Sequence, residues 1–167
     1  DINSYIKTAN RLIEQLSGED IQVHNKLCTE TCTAAIDPDS FSQILVNATL
    51  NSKDAMQEGG DLTIETARVQ IGPTSAGVRG IEVAPGDYVV VSITDTGTGM
   101  TDATLEQIFE PFFTTKAMGS GTGLGLSTCW AIVNQVGGYV NMLSEQGHGT
   151  TLEIYLPFSL AKVTDPV

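Results

Sequence analysis

Hydrophobic residues recur along the chain at two spacings, and the helical spacing marks out three segments. In the first, apolar side chains fall three or four positions apart until Gly18 offers a stop. The second begins after Asp37, the expected N-cap, with Pro38 as the first helical residue. The third ends at a pair of glycines, Gly137 and Gly138. These patterns predict helices over residues 2–16, 38–57 and 124–136.

The other spacing alternates apolar and polar residues, as strands with one buried face do. The predicted strands are 21–27, 34–36, 62–71, 87–95, 139–145 and 150–157. A turn-rich stretch at 72–80 and a lid-like segment at 96–124 interrupt the pattern, and we expect a frayed tail after Pro157. No internal repeat is present. The pattern predicts one domain of two layers, a sheet packed against helices.

Composition narrows the class of protein. With 167 residues, of which 41% are hydrophobic and 17% charged, the chain has the make-up of a globular protein with a real core. Its 8 basic and 20 acidic residues give a net charge of −12, which argues against a nucleic-acid or anionic-membrane surface. The sequence has neither a signal peptide nor an apolar run of the roughly 18 residues that span a membrane. A small anion held by backbone N–H groups, Mg2+ and one or two lysines is still permitted.

Cysteine usage favours a reducing compartment. The chain has three cysteines, Cys28, Cys32 and Cys129, and an odd number without a secretory signal is typical of reduced, cytosolic thiols. Cys28 and Cys32 have the spacing C-x3-C, which raises the question of a zinc site. Because the chain holds only two histidines, we favour small buried hydrophobic residues as the role of these cysteines.

Polar residues form a stripe along one side of the second predicted helix. Asn47, Asn51 and Asp54 lie at successive turns, so at 3.6 residues per turn they share one face. Asparagine is a middling helix former, and two of them among apolar residues need a reason. They form a solvated face, a pair of satisfied buried amides, or a set of amide oxygens that reach a hard cation such as Mg2+ with attached phosphates.

Asp95 ends the most apolar predicted strand and begins the sequence Asp-x-Gly-x-Gly. A buried carboxylate is costly unless it is paired or hydrogen-bonded, and an exocyclic amine such as that of adenine would supply donors. Gly97 and Gly99 would let the backbone turn tightly and approach a ligand closely. A strand-ending turn with an Asx interaction explains the same residues, so both interpretations stay open on this motif alone.

The lid-like segment combines aromatic residues, a lysine and alternating glycines. Three of the five phenylalanines of the chain lie here and would cover apolar surface if the segment packs: Phe109, Phe112 and Phe113. Lys116 offers a point charge suited to phosphate, although a solvent-facing lysine fits equally well. Glycines then occupy every second position from Gly119 to Gly125, directly before a helix whose N-terminal amides attract anions. We expect residues 114–122 to be mobile or ligand-dependent and residues 123–126 to be fixed by the helix.

In this order the motifs resemble those of the ATP-binding domain of sensor histidine kinases, in the wider family shared with gyrase-type ATPases, Hsp90 and MutL. The matching boxes cover roughly residues 37–157. They are an N box (Asn47, Asn51, Asp54), a first glycine box (Asp95, Gly97, Gly99), an F box (Phe109, Pro111, Phe112, Phe113), a second glycine box (Gly119, Gly121, Gly123, Gly125) and the stretch GHGTT at 147–151. The resemblance implies the Bergerat fold, an α+β sandwich whose mixed, mainly antiparallel sheet packs helices on one face.

The resemblance also implies ATP and Mg2+ as ligands and assigns roles to residues. Asp95 would accept from the adenine amine with help from the Thr150 hydroxyl or a water. Asn51 would bind Mg2+, and Asn47 and Lys116 would act near the phosphates. The whole set implied to contact the nucleotide is Asn47, Asn51, Asp54, Asp95, Gly97, Gly99, Met100, Phe112, Lys116, Gly121, Thr122, Gly123, Leu124, Gly125, Leu126 and Thr150.

One position separates the branches of this family. Hydrolysing relatives carry a glutamate four residues before the magnesium asparagine, whereas this chain has Asn47, whose amide cannot act as a base. The resemblance therefore implies transfer of the γ-phosphoryl group to a histidine on a separate dimerisation and phosphoacceptor domain, with a response-regulator receiver domain downstream. A serine kinase of the anti-sigma type and a non-catalytic nucleotide-binding module are the alternatives.

The acceptor histidine is expected to lie outside this chain. Neither His24, on a predicted strand, nor His148, in a Gly-His-Gly turn, has the sequence context of a phosphoacceptor. The missing initiator Met suggests a segment of a longer protein. We expect residues 1–18 to be a helix that connects to the acceptor domain or belongs to this one, residues 19–158 to be the ATP-binding domain, and residues 159–167 to be a tail. The expected location is cytoplasmic.

Overall fold

The structure, a computed structural model, describes residues 1–73, 82–115 and 123–160. Four helices and five strands lie in these ranges. In chain order they are α1 (Ile2–Ser17), β1 (Ile21–Lys26), α2 (Pro38–Ala55), β2 (Gly60–Ile71), β3 (Gly86–Asp95), α3 (Asp102–Gln107), α4 (Gly125–Gln135), β4 (Tyr139–Ser144) and β5 (Thr150–Pro157). No helix among the described residues combines the length and apolar character needed to cross a bilayer.

The five strands form one mixed sheet in the order β1-β2-β3-β5-β4. The edge strand β1 runs parallel to β2, and the other neighbours are antiparallel. In this register Asp95 lies between Leu62 of β2 and Thr150 of β5. The carboxylate therefore sits at the end of the two central antiparallel pairs, on the same sheet face as its cross-strand neighbours.

Capping side chains set the start of the two longest helices. The Asp1 carboxylate accepts from the Ser4 N–H at 3.1 Å, and the Asp37 carboxylate accepts from the Ser40 N–H at 2.9 Å. Pro38 follows Asp37 as the first residue of α2, where a missing N–H costs nothing. The predicted start of α2 is therefore confirmed.

The main core lies between the sheet and the helices on one of its faces. Strand residues of alternating positions point into it, and so do the apolar sides of α1, α2 and α4. Its fully buried members include Ile6, Ile13, Phe41, Ile44, Leu45, Leu62, Ile64, Val89, Val91, Val133, Ile154 and Leu156. This is the predicted arrangement of a mixed sheet with helices on one face.

Three segments meet beside the first turn of α1, at a place we call the N-terminal corner: residues 2–3, 28–34 and 158–159. The Ile2 N–H donates to the Cys32 carbonyl at 2.8 Å, and the Ser159 N–H donates to the Thr33 carbonyl at 3.0 Å. The guanidinium of Arg68 lies over the Phe158 ring, 3.6 Å from its centroid. The expectation of a frayed tail directly after Pro157 is therefore wrong for residues 158–159, and residues 161–167 lie outside the described ranges.

One further local prediction was wrong, and one helix was missed. Residues 34–36 form no strand; Ala34 makes only an isolated bridge to Phe158, because no neighbouring strand continues the pairing. The lid-like segment contains a short helix, α3, which the hydrophobic pattern did not reveal because none of its residues is buried. Its signal was a cap: the Thr101 hydroxyl accepts from the Thr104 N–H at 3.3 Å.

Candidate functional site

Two adjoining cavities open between α2, the end of β3 and the start of α4. Each has a volume of about 210 Å³, and they share four lining residues: Asn51, Ile108, Thr115 and Leu126. Of the residues predicted from sequence, the first, which we call the inner cavity, is lined by Asn51, Asp54, Asp95, Gly99, Met100, Leu126 and Thr150. The second, the outer cavity, is lined by Asn47, Asn51, Gly123, Gly125 and Leu126. The fold thus brings most of the predicted site residues together from both halves of the chain.

Asp95 is the buried charge of the inner cavity. It is 5% exposed, and its carboxylate accepts from the Gly97 N–H at 2.9 Å. Burial raises the pKa of Asp95, while the Gly97 N–H and weaker contacts with the Ser52 hydroxyl and the Thr150 N–H oppose the rise. A carboxylate with spare acceptor capacity in a small cavity is suited to a ligand that donates hydrogen bonds.

Ser52 is a residue of this site that the sequence reasoning missed. It is 5% exposed, lines the inner cavity and contacts Asp95 from α2. The available signal was its position, because Ile44, Ala48 and Ser52 fall four residues apart on the buried side of α2. A serine on an apolar stripe needs a polar partner, and that partner is the carboxylate.

Most of the remaining lining of the inner cavity is apolar, which sequence motifs did not reveal. Its walls include Ala48, Ile93, Ile108, Met142 and Leu152, contributed by one helix, three strands and the segment after α3. These side chains form a slot for a flat apolar group, with Asp95 as the polar group at its end.

Gly99 turns the chain beneath the cavity. It has φ +66°, and a Cβ there would lie 2.8 Å from the Glu145 carbonyl carbon, so the backbone of the β4–β5 turn leaves no room for a side chain. The next residue is held as well, because the Met100 N–H donates to the Ser144 hydroxyl at 2.8 Å. Gly97 supports the site from behind, since its own Cβ would lie 2.6 Å from the Ala55 carbonyl oxygen.

Thr150 takes part differently from the prediction. Its hydroxyl hydrogen-bonds the Ser144 hydroxyl at 2.8 Å, and its contact with Asp95 runs through the backbone N–H. Ser144 also donates to the Gly149 carbonyl at 3.0 Å, so one serine connects the turn below the cavity with strand β5.

The two asparagines of α2 face the start of α4. The Asn47 amide donates to the Gly125 carbonyl at 3.2 Å. The Asn51 amide nitrogen is buried and has no hydrogen-bond partner among the described residues. Asp54, one turn further, is exposed and lines the inner cavity. An unpaired buried amide is costly in free energy, so a ligand bound at Asn51 would supply the missing interaction partner.

A magnesium ion with phosphates fits this donor set. A half-turn of the Asn51 terminal amide exchanges nitrogen and oxygen, so the same position can offer the hard oxygen that Mg2+ prefers. In the part of the chain that the structure describes, no three His, Cys, Asp or Glu residues are grouped to hold a metal. An ion here would depend on one amide, waters and ligand phosphates, as Mg2+ sites commonly do.

The first turn of α4 completes the outer cavity. Leu124 precedes this helix and gives it no side-chain cap, so the first N–H groups keep their capacity for an anion. The Leu124 side chain is 38% exposed and does not line either cavity. Sequence reasoning placed this residue among the nucleotide contacts, and its contribution can come only from the backbone.

A hydrogen bond and a packing contact join Phe112 to Gly123. The Phe112 N–H donates to the Gly123 carbonyl at 2.9 Å, and Gly123 has φ +67° with Phe112 packed where a Cβ would stand. The Phe112 side chain is 74% exposed and lies outside both linings, whereas Phe113 lines the outer cavity. Lys116, Gly121 and Thr122 lie outside the described residues, and so does most of the segment 114–122 for which mobility was predicted.

Comparison with known proteins identifies the family. Residues 36–160 match the model of the Histidine kinase-, DNA gyrase B-, and HSP90-like ATPase family. The chain belongs to this family. It is therefore an ATP-binding domain of the histidine-kinase type, and the predicted resemblance and fold class are confirmed.

Relatives within the family are sensor kinases. The chain is 40% identical to sensor kinase CckA of Brucella abortus (strain 2308) over 157 residues, which are 94% of this chain and 16% of the relative. It is 31% identical to sensor histidine kinase ZraS of Escherichia coli (strain K12) over 163 residues, 97% of this chain and 31% of the relative. The chain thus spans less than a third of the length of either protein. The structure of full-length ShkA in complex with AMPPNP shares the fold, with a TM-score of 0.74, 24% identity, and coverage of 96% of this chain and 31% of that one.

Proposed function

We propose that this chain is the catalytic domain of a two-component sensor histidine kinase, which binds Mg2+–ATP and transfers the γ-phosphoryl group to a histidine on a separate domain. The observation that carries the proposal is the pairing of the two cavities: a buried carboxylate at the end of an apolar slot, and an unpartnered asparagine amide beside an uncapped helix N-terminus. A nucleotide matches both cavities, because it has a flat base at one end and phosphates at the other.

The inner cavity would hold the adenine base. Asp95 would accept from the exocyclic amine, since its carboxylate retains acceptor capacity beyond the Gly97 N–H. Ser52 would hold that carboxylate in orientation, and Gly99 would allow the backbone of the Asp95 turn to pass close to the base. The apolar walls would exclude water from the slot and so strengthen this one polar contact.

The outer cavity would hold the phosphates. Asn51 would supply an amide oxygen to Mg2+, and Asn47, held by its hydrogen bond to Gly125, would lie beside the phosphates. When bound, Mg2+ neutralises phosphate charge and so makes the γ-phosphoryl group easier to transfer. The N–H groups at the start of α4, which form the positive end of the helix dipole, would also attract the phosphates. Lys116, Gly121 and Thr122 are proposed phosphate contacts on sequence grounds alone.

Transfer rather than hydrolysis follows from what Asn47 lacks. A general base must accept a proton, and an amide at this position cannot, so the site has no group here to activate water. Catalysis would then consist of positioning and charge neutralisation, and the nucleophile would come from the phosphoacceptor domain. We extend the proposal to a cytoplasmic location, a receiver domain as the next acceptor, and a division of the chain at residues 18 and 158.

Two measurements test the proposal in sequence. Calorimetric titration with ADP and a non-hydrolysable ATP analogue, with and without Mg2+, should show binding that Mg2+ strengthens. The chain is then mixed with labelled ATP and a separately produced acceptor domain of its own full-length protein. Acid-labile, alkali-stable phosphate on that domain would support histidine phosphorylation.

Other outcomes point to the alternatives. Acid-stable phosphate on a partner serine would indicate the anti-sigma type of kinase. Binding without any transfer to the acceptor domain would indicate a regulatory module, and no binding in either buffer would refute the nucleotide site itself.

A further inference from the structure

Two thiols lie together in the loop after β1, away from both cavities. Cys28 is half-buried and Cys32 is fully buried, and each thiol shifts the pKa of the other. The third thiol, Cys129, is fully buried in α4, where its Sγ lies 3.9 Å from the Ile44 carbonyl. The predicted role of a small buried hydrophobic residue therefore suits Cys32 and Cys129 better than Cys28.

A polar network fixes Cys28 in this loop. The Asn3 amide donates to the Cys28 carbonyl at 2.9 Å and lies 3.8 Å from its Sγ. The Cys28 N–H donates to the Thr66 hydroxyl at 3.0 Å, and that hydroxyl donates to the Asn3 side-chain oxygen at 2.7 Å. Three elements, α1, the loop and β2, thus hold the backbone of Cys28, while its sulfur stays partly accessible.

The two thiols differ in acidity in a way that suits sequential roles. Burial raises the pKa of Cys28, but interactions with Cys32 and the Asn3 amide oppose it, and the net change is downward. Burial, followed by the neighbouring Cys28, raises the pKa of Cys32 to about 12. The accessible thiol is therefore the better nucleophile, and the buried thiol keeps its proton until it reacts.

We propose that Cys28 and Cys32 form a redox-active dithiol that closes to a reversible intramolecular disulfide in the presence of a hydroperoxide. The Cys28 thiolate attacks the terminal peroxide oxygen, which breaks the O–O bond and gives a sulfenic acid and hydroxide (or an alkoxide). The Cys32 sulfur then attacks the Cys28 sulfur, and the hydroxyl leaves as water with the Cys32 proton. Both thiols are oxidised by two electrons in total, and the peroxide is reduced.

The position of the pair gives the disulfide a local effect. The Cys32 carbonyl accepts from the Ile2 N–H, the first amide of α1. A bridge between Cys28 and Cys32 would restrict the loop that carries this carbonyl, so local opening at the start of α1 should become rarer. Hydrogen exchange at the Ile2 amide should therefore be slower in the oxidised protein.

The test is oxidation of the reduced chain with hydrogen peroxide, followed by alkylation and mass spectrometry. We expect the loss of the mass of two hydrogen atoms, one remaining alkylated thiol at Cys129, a peptide linking Cys28 to Cys32, and full reversal by a dithiol reductant. Cys129→Ser should behave like the unmodified chain. Cys28→Ser should form no disulfide, and Cys32→Ser should trap the sulfenic acid on Cys28.

Several outcomes would overturn the proposal. They are three free thiols after oxidation, linkage of either cysteine to Cys129, disulfides only between two chains, or oxygen added first to a thiol other than Cys28. If a serine variant does not fold, the linkage map of the unmodified chain decides the question alone.

Discussion

Replacement of Asp95 by asparagine separates the role of this residue in binding from its role in folding. The carboxylate is 5% exposed and accepts from the Gly97 N–H at 2.9 Å. An asparagine can keep that contact through its amide oxygen, and its NH2 group can donate to the Ser52 hydroxyl. The NH2 group cannot accept from an adenine amine, however, because both groups are donors. The substitution should therefore preserve the nucleotide-free fold and weaken nucleotide binding.

The expected loss follows from the type of hydrogen bond. A bond to a charged group is worth about 1.5–3 kcal/mol, and about 1.4 kcal/mol corresponds to a tenfold change in affinity, so Asp95→Asn should weaken ADP binding by about 10- to 150-fold. The stability of the nucleotide-free protein should stay the same or rise, because the substitution removes a buried charge whose pKa burial has raised.

Calorimetry with ADP and thermal unfolding without nucleotide measure these two quantities. Asp87→Asn is the matched control, because Asp87 lies at the other end of β3, is exposed and touches neither cavity. ADP affinity within twofold of the unmodified chain would refute the assigned role of Asp95. A clear fall in melting temperature would refute the view that an amide at position 95 can hydrogen-bond with both the Gly97 N–H and the Ser52 hydroxyl.

Asp95 also makes binding depend on pH. Because its pKa is raised in the folded chain, nucleotide affinity should fall as pH decreases through that raised value, where the carboxylate becomes protonated. The contribution to stability has the opposite sign: the unfolded chain releases this proton first, so the nucleotide-free protein loses stability as pH rises from the unfolded to the folded pKa. Both dependences should be absent in Asp95→Asn.

Three further substitutions probe the rest of the site. Asn51→Ala should bring the ratio of ATP-analogue affinities with and without Mg2+ close to one, while binding without Mg2+ changes little, as measured by calorimetry. Ser52→Ala removes a weak contact to Asp95, so it should cost roughly 1 kcal/mol or less of ADP binding and move the pH at which affinity falls upward. Gly99→Ala should lower stability in chemical denaturation by more than the roughly 1–2 kcal/mol that an alanine costs at positive φ, because its Cβ would meet the Glu145 backbone.

The chain offers a matched control for the glycine substitution. Gly147→Ala has the same kind of backbone strain, with φ +86°, but open space around the Cβ, so the difference from Gly99→Ala isolates the steric contact. Equal losses from the two would contradict the close approach of the turns. Equal, Mg2+-independent losses from Asn51→Ala and Asp95→Asn would contradict the division between base and phosphate cavities. If the pH midpoint of nucleotide affinity does not move upward in Ser52→Ala, the contact between Ser52 and the carboxylate is contradicted.

Periodicity predicted the three longer helices and most strands because burial and secondary structure coincide there. α1 buries Ile2, Ile6 and Ile13 on one side, and α2 buries residues at matching intervals from Phe41 onward. The strand predicted at 34–36 was wrong because a short apolar run does not reveal whether a partner strand exists. Pairing order and the parallel β1–β2 contact are properties of the whole sheet, which no local pattern encodes.

The site was partly readable because ligand-binding residues break local rules. Asn51 on a helix and Asp95 at the end of an apolar strand both stand where polar groups need partners, and the structure brings both to the same pair of cavities. Ser52 was missed because a serine in a helix resembles a surface residue until its buried stripe is considered. The apolar walls were missed because Ile93 or Leu152 in a slot looks the same in sequence as one in the core.

The N-terminal corner has a consequence for the order of the chain. Ile2 and Ser159 are hydrogen-bonded to consecutive residues, Cys32 and Thr33, whose Cα atoms are about 3.8 Å apart, so the start of α1 and the end of the last strand are neighbours. A linker of a few residues from Ser159 to Ile2 could join these two points, and a circular permutant of residues 2–159 opened elsewhere would preserve every strand pairing. Topologically the described elements form a cycle, and the same fold can be written from several starting points along it.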